Sequence, residues 1–347
     1  MNWTISVVAK PFQVAILHGD LNKPFPSYPN QDWASNDYGI FTVLNGALAE
    51  LEGYCFTYFA NHDNLFGELR ADLHRFDLVF NLCDDGYRNN LDQAGHVVAL
   101  LEMLGVPFTG SGVKAMFMTT DKQIQLDIAH RNGVPTPPSL LVQPWEPLPA
   151  AVSYPALVKP NATDGSIGIT RKNVVHNRGE LHEAVRIIRE DFRLTCPILI
   201  QRYLPGRDLF VSLLGNAPDD LHALVITEED YSALPPDYPK FCSYESKWDP
   251  TSPYWQIKSQ PTTLPAASQQ LMIDCCRRLY ARLEIHDYAR FDWRLDEDDQ
   301  PYFLEANPNC GWCFDAHLVK TAALSGMSYS ELLDRILRAA LRRYGKV

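Results

Sequence analysis

Long apolar runs are missing from this sequence. No stretch approaches the roughly 18 consecutive apolar residues that cross a membrane, and the N-terminus, MNWTISVVAKPFQVAILHGD, lacks the charged segment and long apolar core of a secretion signal. Both absences lead to the expectation of a cytoplasmic protein with no membrane partner. Basic residues are also in short supply: 31 Lys and Arg stand against 42 Asp and Glu, a formal net charge of −11. Nucleic-acid backbones are held by clustered cations, so no nucleic-acid partner is expected, although a small anion could still sit in a local basic pocket. Neither GxxxxGK[ST] nor GxGxxG occurs, which removes support for the folds built around those phosphate loops. Internal repeats and low-complexity tracts are absent as well. The eight cysteines are scattered, so free thiols are expected in place of a disulfide framework.

What is present is alternation of strand and helix patterns over 347 residues, enough for two or three modules. Residues 1–115 read as a parallel α/β unit. It has strands at QVAILH (13–18) and FDLVFNLC (76–83), and helices at 41–53 and 91–105 that stop at Gly53 and Gly105. The proline-bearing stretch 20–37 reads as loop. Residues 116–204 open with the helix TTDKQIQLDIAHRNG, capped by Thr119 or Thr120. There follow a strand at YPALVKP (154–160), a turn into a strand at DGSIGIT, a helix at GELHEAVRIIRED and a strand at CPILIQRYL (196–204). Residues 205–347 carry strands at DLFVSLLG and LHALVIT, a proline-rich loop at 231–255, a helix near 266–283, two strands at YARFDWRLD and QPYFLEANP, and an amphipathic terminal helix.

The chemistry concentrates in the last two strands. Alternation puts Arg290, Asp292 and Arg294 on one face, and Glu305 with Asn307 on one face of the next strand. If the two strands pair, Asp292, Glu305 and Asn307 converge as two carboxylates and an amide oxygen. Such hard oxygen ligands suit Mg²⁺, which completes its shell with water and phosphate. Asp-x-Arg alone reads first as the solvated face of a hairpin, whereas Glu-Ala-Asn ending an apolar strand reads first as functional. In LVKPNATDGSIGIT, Lys159 ends a buried strand before a loop of small residues, Asp164-Gly165-Ser166-Ile167-Gly168, whose amides could cradle phosphate. Lys122 alone reads as a surface residue.

Taken in order, LVKP…DGSIGI, ILIQRYLPGRDLFVSLLG and ARFDWRLDEDDQPYFLEANPN resemble the ATP-grasp superfamily, and within it the D-alanine–D-alanine ligase-like branch. The resemblance runs from about residue 99 to the C-terminus. It implies a three-domain α/β architecture, with ATP held between two α+β domains that follow an N-terminal parallel α/β domain. By the same resemblance Lys122 and Lys159 hold the ATP phosphates, and Ser166 with its neighbouring amides covers them. The hinge QRYL (201–204) reads adenine through Gln201 and the backbone of Arg202 and Leu204, while Asp208 takes the ribose. Asp292, Glu305 and Asn307 bind two Mg²⁺, with Mn²⁺ an alternative. Arg290 steadies an acyl phosphate, Lys247 closes over the γ-phosphate, and the Gly311 N–H donates to the oxyanion. The resemblance implies an ATP-dependent carboxylate–amine ligase acting on small, amino-acid-like substrates, and a homodimer.

Four departures separate this chain from that branch. Glutamate is usual at the hinge where Gln201 stands. The Gly-Gly-x-Ser-x-Glu motif after the first strand is replaced by LHGDLNKPFPSYPNQD, and the HGxxGEDG loop by NLCDDGYRNNLDQAGH. After the metal strand, Asn309-Cys-Gly-Trp-Cys-Phe-Asp replaces Pro-Gly-Met-Thr. The ATP machinery therefore carries over and the pocket for two D-alanines does not. Cys310 and Cys313 are expected to line the acceptor pocket, with Trp312 and Phe314 as its aromatic wall. Two other roles stay open for the cysteines: a redox pair, or a zinc site with His317. For the whole chain the alternatives are a phosphotransferase and a non-catalytic nucleotide-binding regulator.

Overall fold

A computed structural model describes residues 10–24 and 34–347, with the side chains of 34–38 left out. Three sheets organise it. The first is parallel, in the order β2-β1-β3, from β1 (Phe12–Leu17), β2 (Tyr54–Phe59) and β3 (Leu78–Asn81). Alternation along β1 sends Val14 and Ile16 to one face, against Leu44, Leu48 and the terminal helix Tyr329–Arg343. Ala15 and Leu17 face the other side, against Leu65, Leu69, Val97 and Leu101.

The second sheet is antiparallel, in the order β4-β7-β5-β6, from β4 (Ser139–Val142), β5 (Ala156–Pro160), β6 (Val174–Val175) and β7 (Ile198–Arg202). Ala156, Val158, Ile198 and Ile200 pack on Leu181, Ala184 and Ile188. The opposite face of β5 and β7 therefore presents Leu157, Lys159 and Gln201 to a cleft. The third sheet comprises β8 (Asp208–Leu214), β9 (His222–Ala223), β10 (Thr227–Asp230), β11 (Lys258–Pro261), β12 (Tyr288–Leu295) and β13 (Pro301–Pro308). Its order is β11-β10-β8-β12-β13, with β9 on β8. Phe291, Trp293, Leu209 and Val211 pack on the helix Ala266–Arg282, so Asp208, Phe210, Arg290, Asp292 and Arg294 line the cleft from below.

Several expectations need correction. The cap of the helix Lys122–Arg131 is Asp121, which accepts from the Ile124 amide; Thr119 and Thr120 end the preceding helix, Val113–Thr120. Residues 20–37 are not all loop, because the helix that contains 41–49 begins at Ala34; residues 25–33 lie outside the described residues. LHALVIT is not one strand. The Leu224 amide bonds to Ser212 and the Val225 amide to the Ser325 hydroxyl, so pairing breaks between β9 and β10. DGSIGIT enters no strand but a 3₁₀ turn at Arg171–Asn173, and the loop 231–255 contains the short helix Glu245–Trp248. Among the described residues, no helix is long and apolar enough to cross a membrane.

One buried carboxylate ties distant segments together. Asp287 accepts from the Gly110 amide (2.8 Å), Asn216 Nδ2 (2.8 Å) and Arg343 Nη2 (2.7 Å), and is fully buried. Removing it leaves the Arg343 guanidinium without its carboxylate partner. Asp287→Ala should therefore lower the unfolding free energy by about 3–5 kcal/mol, read as a shift in the urea midpoint; a change below about 1 kcal/mol would show that the knot contributes little.

Candidate active site

Two structural devices bring the charged groups together. The first is a β-bulge. Asp292 pairs with Glu305, but Trp293 pairs with Phe303, so Leu304 has no partner. Without that extra residue Phe303 and Glu305 would share a face. With it, Phe303 stays in the core while Glu305 faces the cleft opposite Asp292, and Asn307 follows two residues along. The second is Asn161, just past β5. Its carbonyl accepts from the Lys122 amide (3.0 Å) and its Oδ1 from the Gln123 amide (2.9 Å), which seats the start of that helix beside Lys159. Gln125, on the same helix, accepts from the Ala306 amide (2.6 Å) and so fixes the height of β13.

The cleft encloses about 950 Å³ continuous with solvent. Lys122 Nζ lies 3.4 Å from Glu305 Oε2, and Arg290 grips Asp292 with two bonds of 2.7 and 3.0 Å. Burial alone would raise the Glu305 carboxyl, but Lys122, Lys159, Arg290 and Lys247 bring it down to about 2. Burial holds Lys159 down at about 8, with Lys122 adding to that while Glu305, Asp292 and Asp208 pull the other way. Gln201 is buried at the hinge and its Nε2 has no partner; Asn307 Nδ2 is likewise enclosed and unpaired. Unmet buried polar atoms cost free energy unless a ligand meets them.

Above the cleft, two loops are clasped. Gly165 and Ser166 adopt left-handed backbone conformations (φ +63° and +59°). Ser166 Oγ donates to the Cys242 carbonyl (3.1 Å), Trp248 Nε1 to the Gly165 carbonyl (2.9 Å), and the Tyr244 amide to the Ile169 carbonyl (2.7 Å). Lys247 is carried in on this clasp and lines the cleft. Arg202 and Leu204 also line it. Arg294 Nε donates to the Leu204 carbonyl, and its Nη1 lies 2.6 Å from Asp208, whose other oxygen accepts from Tyr231. Both oxygens of Asp208 are thus already engaged.

A second cavity of about 1350 Å³ shares Lys122, Lys247, Arg290 and Glu305 with the first. Its other walls are Asn307, Cys310, Gly311 and Trp312, and the acidic loops at Asp84, Asp85, Asp92 and Asp164. Burial raises the Asp84 carboxyl to about 7, with Asp164 adding to it against the Trp312 bond. Trp312 is buried and donates to the Leu82 carbonyl (2.6 Å) and to Asp84 (3.1 Å), pinning the Cys-Gly-Trp-Cys segment to the first sheet. Phe314 is exposed and does not join Trp312 in the expected wall. No disulfide joins Cys310 to Cys313, and burial pushes the Cys310 thiol up to about 12, which suits packing better than redox chemistry. His317 is not with the cysteines. It stacks on Phe210 in the first cavity.

Sequence reasoning gave no role to Arg294, Gln125, Asn161, Trp248 or Asp84. Arg294 alone left a trace, through its place in the Arg290-x-Asp292-x-Arg294 alternation. The others act through contacts with residues far away in the chain.

Comparison with known proteins follows the geometry. Residues 142–338 match the family model described as D-ala D-ala ligase C-terminus. The uncharacterized protein y4sG of Sinorhizobium fredii is 32% identical over 340 residues, covering 93% of this chain and 92% of its own length. D-alanine–D-alanine ligase A of Bacillus cereus is 29% identical over 252 residues, 72% of this chain and 76% of that enzyme. In three dimensions, the crystal structure of D-alanine–D-alanine ligase from Bacillus anthracis complexed with ATP superposes with a TM-score of 0.71. That match covers 96% of this chain and 98% of the other at 21% identity, and it shows the fold.

A phosphate next to Lys159 would restore its full charge. At pH 8.5 the binding of ATP should therefore take up protons, visible as a binding enthalpy that changes with the ionisation enthalpy of the buffer. The uptake should disappear in Lys159→Met; equal enthalpies in all buffers would show that Lys159 does not meet the phosphates.

Proposed function

The chain belongs to the D-alanine–D-alanine ligase-like branch of the ATP-grasp superfamily, and from that premise we propose that it is an ATP-dependent ligase that joins a carboxylate to an amine through an acyl phosphate, releasing ADP and phosphate. One observation carries the reading: a largely enclosed carboxylate pair, Asp292 and Glu305, is met by Lys122, Lys159 and Lys247 across a cleft between two sheets and by Arg290 from its own strand. Phosphoryl transfer needs little covalent chemistry from a protein and much fixed positive charge around the moving group.

In this reading adenine lies against Leu157 and the hinge, where the unpaired amide of Gln201 faces it, and the phosphates run toward Lys122 and Lys159. The ribose hydroxyls reach Asp208 from the side that Arg294 and Tyr231 leave accessible. Asp292, Glu305 and Asn307 fit Mg²⁺, because two carboxylates and an amide oxygen form a hard oxygen set. The metal would neutralise charge on the phosphates. The chain's own residues do the rest. Glu305 stays ionised across the physiological range, Arg290 turns from Asp292 toward the acyl phosphate, and the Gly311 N–H meets the oxyanion. Lys247 and the Ser166 loop close the site and exclude water.

The second cavity favours a ligase over a phosphotransferase that stops at the phosphorylated product, because a second substrate has a place beside the same Arg290 and Glu305. Its walls argue against two D-alanines. Asp20, after β1, lines a separate cavity, and its oxygens already accept from the Asn22 and His62 amides, so it offers this cavity no carboxylate for an ammonium. Asp84 and the bulky Trp312 shape the pocket instead. An amino-acid-like substrate with its ammonium turned to Asp84 fits this cavity.

The test is incubation of the protein with Mg-ATP and a panel of amino acids and carboxylic acids. ADP and phosphate should form with a particular acid–amine pair, together with a product mass equal to the pair minus water. Glu305→Gln should lower that rate by at least about 100-fold while the variant stays folded. AMP as product, or full ligation by Glu305→Gln, would overturn the reading.

A further inference from the structure

His317 has no part in the scheme above, yet it stands in the first cavity. It begins the helix His317–Leu324, stacks on Phe210 with ring centroids 4.5 Å apart, and keeps about a fifth of its side chain accessible. Phe210 also carries Arg290 over its ring at 5.7 Å, so one aromatic side chain positions both the arginine assigned to the acyl phosphate and the imidazole. Behind the imidazole lies a buried carboxylate: Nδ1 is 3.4 Å from Glu229 Oε1, and Glu229 is held in turn by Ser259 Oγ at 2.8 Å. Nδ1 is enclosed and makes no hydrogen bond as the site stands, so a small rotation would be needed to align it with Glu229.

Ligation has a step that the groups assigned so far leave unserved. An amine reaches the site as an ammonium and must lose a proton before its lone pair can attack. The lysines and Arg290 are donors. Among the carboxylates of the two cavities, Asp292 is gripped by Arg290, Glu305 by Lys122 and Asp208 by Arg294 and Tyr231, while Asp84 holds the Trp312 indole N–H and is assigned to anchoring an ammonium. Asp164 accepts from the amide of its own loop.

Resting on the ligase reading, we propose that His317, backed by Glu229, is the base that accepts the proton of the attacking amine. Glu229 accepts from Nδ1–H and so leaves Nε2 with a free lone pair toward the substrate. The ammonium gives its first proton to Nε2. The nitrogen lone pair then forms the C–N bond, the acyl carbon–oxygen bond to phosphorus breaks, and the departing phosphate takes the second proton. The charged groups that face His317 are Glu229 from β10, Arg290 from β12, Lys247 from the clasped loop and Lys320 from its own helix. Burial, then Arg290, Lys247 and Lys320, hold the imidazole well below its usual range, which keeps it neutral at pH 7 and weakens it as a base until those cations are engaged elsewhere. Phosphate groups that engage Arg290 and Lys247 offset those cations and raise its basicity at the stage where it acts.

Hydroxylamine provides the test, because it is already unprotonated near neutral pH and needs no base. Wild type, His317→Ala, His317→Gln and Glu229→Gln are each given Mg-ATP and a panel of D- and L-amino acids. The acid is offered either with hydroxylamine, read as hydroxamate, or with the amines of the panel, read as amide. Calorimetric ATP binding within a few-fold of wild type certifies that the variants are folded. The expected result is amide formation about 100-fold lower in both His317 variants, with hydroxamate within a few-fold of wild type. Added imidazole should restore part of the amide rate to His317→Ala alone, and Glu229→Gln should show a smaller loss of the same kind. Equal losses with both nucleophiles would make His317 a packing residue for Phe210, and no loss would remove it from the reaction; either overturns the proposal. A wild-type protein that binds ATP but makes neither hydroxamate nor amide would instead bring down the ligase reading itself.

Discussion

The active site depends on one irregularity in one hairpin. A strand that alternated without interruption from Phe303 to Asn307 would have to send Phe303 and Glu305 the same way. Either an aromatic ring would enter a polar cleft, or a carboxylate would enter the core beside Trp293 and Phe291. The unpaired Leu304 resolves the conflict. It lets the hairpin serve as core on one side and as an array of charged ligands on the other, and Gln125 locks the resulting register from the neighbouring helix.

That arrangement sets two carboxylates side by side, which water would tolerate and a protein interior would not. The rest of the cleft answers the repulsion. Lys122 and Lys159 come from separate elements, joined through Asn161, and Arg290 comes from the hairpin itself. Lys122 lies beside Glu305 and Arg290 grips Asp292, so the site is preorganised without a ligand. On the proposed reading, phosphates and metal would exchange these interactions, and the cations would turn from the carboxylates to the substrate. Arg294 has a different task. It bonds the Leu204 carbonyl and Asp208 at once, and so joins the hinge of one sheet to the first residue of the next.

Most of this was legible where a local pattern sufficed. Strand alternation and the order of the motifs brought out Lys159, Asp292, Glu305 and Asn307, and the expected convergence across the hairpin is seen in the Asp292–Glu305 register. The bulge was not legible, since nothing in PYFLEANP marks Leu304 as extra. Nor was β10. Its acidic residues carry no strand signal, yet Glu228 and Glu229 are buried because Arg207, Thr262 and Ser259 satisfy them from elsewhere in the chain. The strand YCFTYF and the helix HLVKTAAL went unread beside louder signals, the latter hidden behind the Cys-x-x-Cys motif. That motif misdirected attention as well. Its structural weight falls on the tryptophan between the cysteines, whose indole N–H reaches the first sheet.

The clasp between the Ser166 loop and the segment 242–248 bears on the timing of turnover. Three direct hydrogen bonds close it, each worth about 1 kcal/mol net, and they form within the protein before any nucleotide is considered. If the cleft takes a nucleotide as proposed, these bonds make the roof an escapement over it, and Trp248, whose indole N–H holds the Gly165 carbonyl, is the side chain that would set how readily that roof lifts.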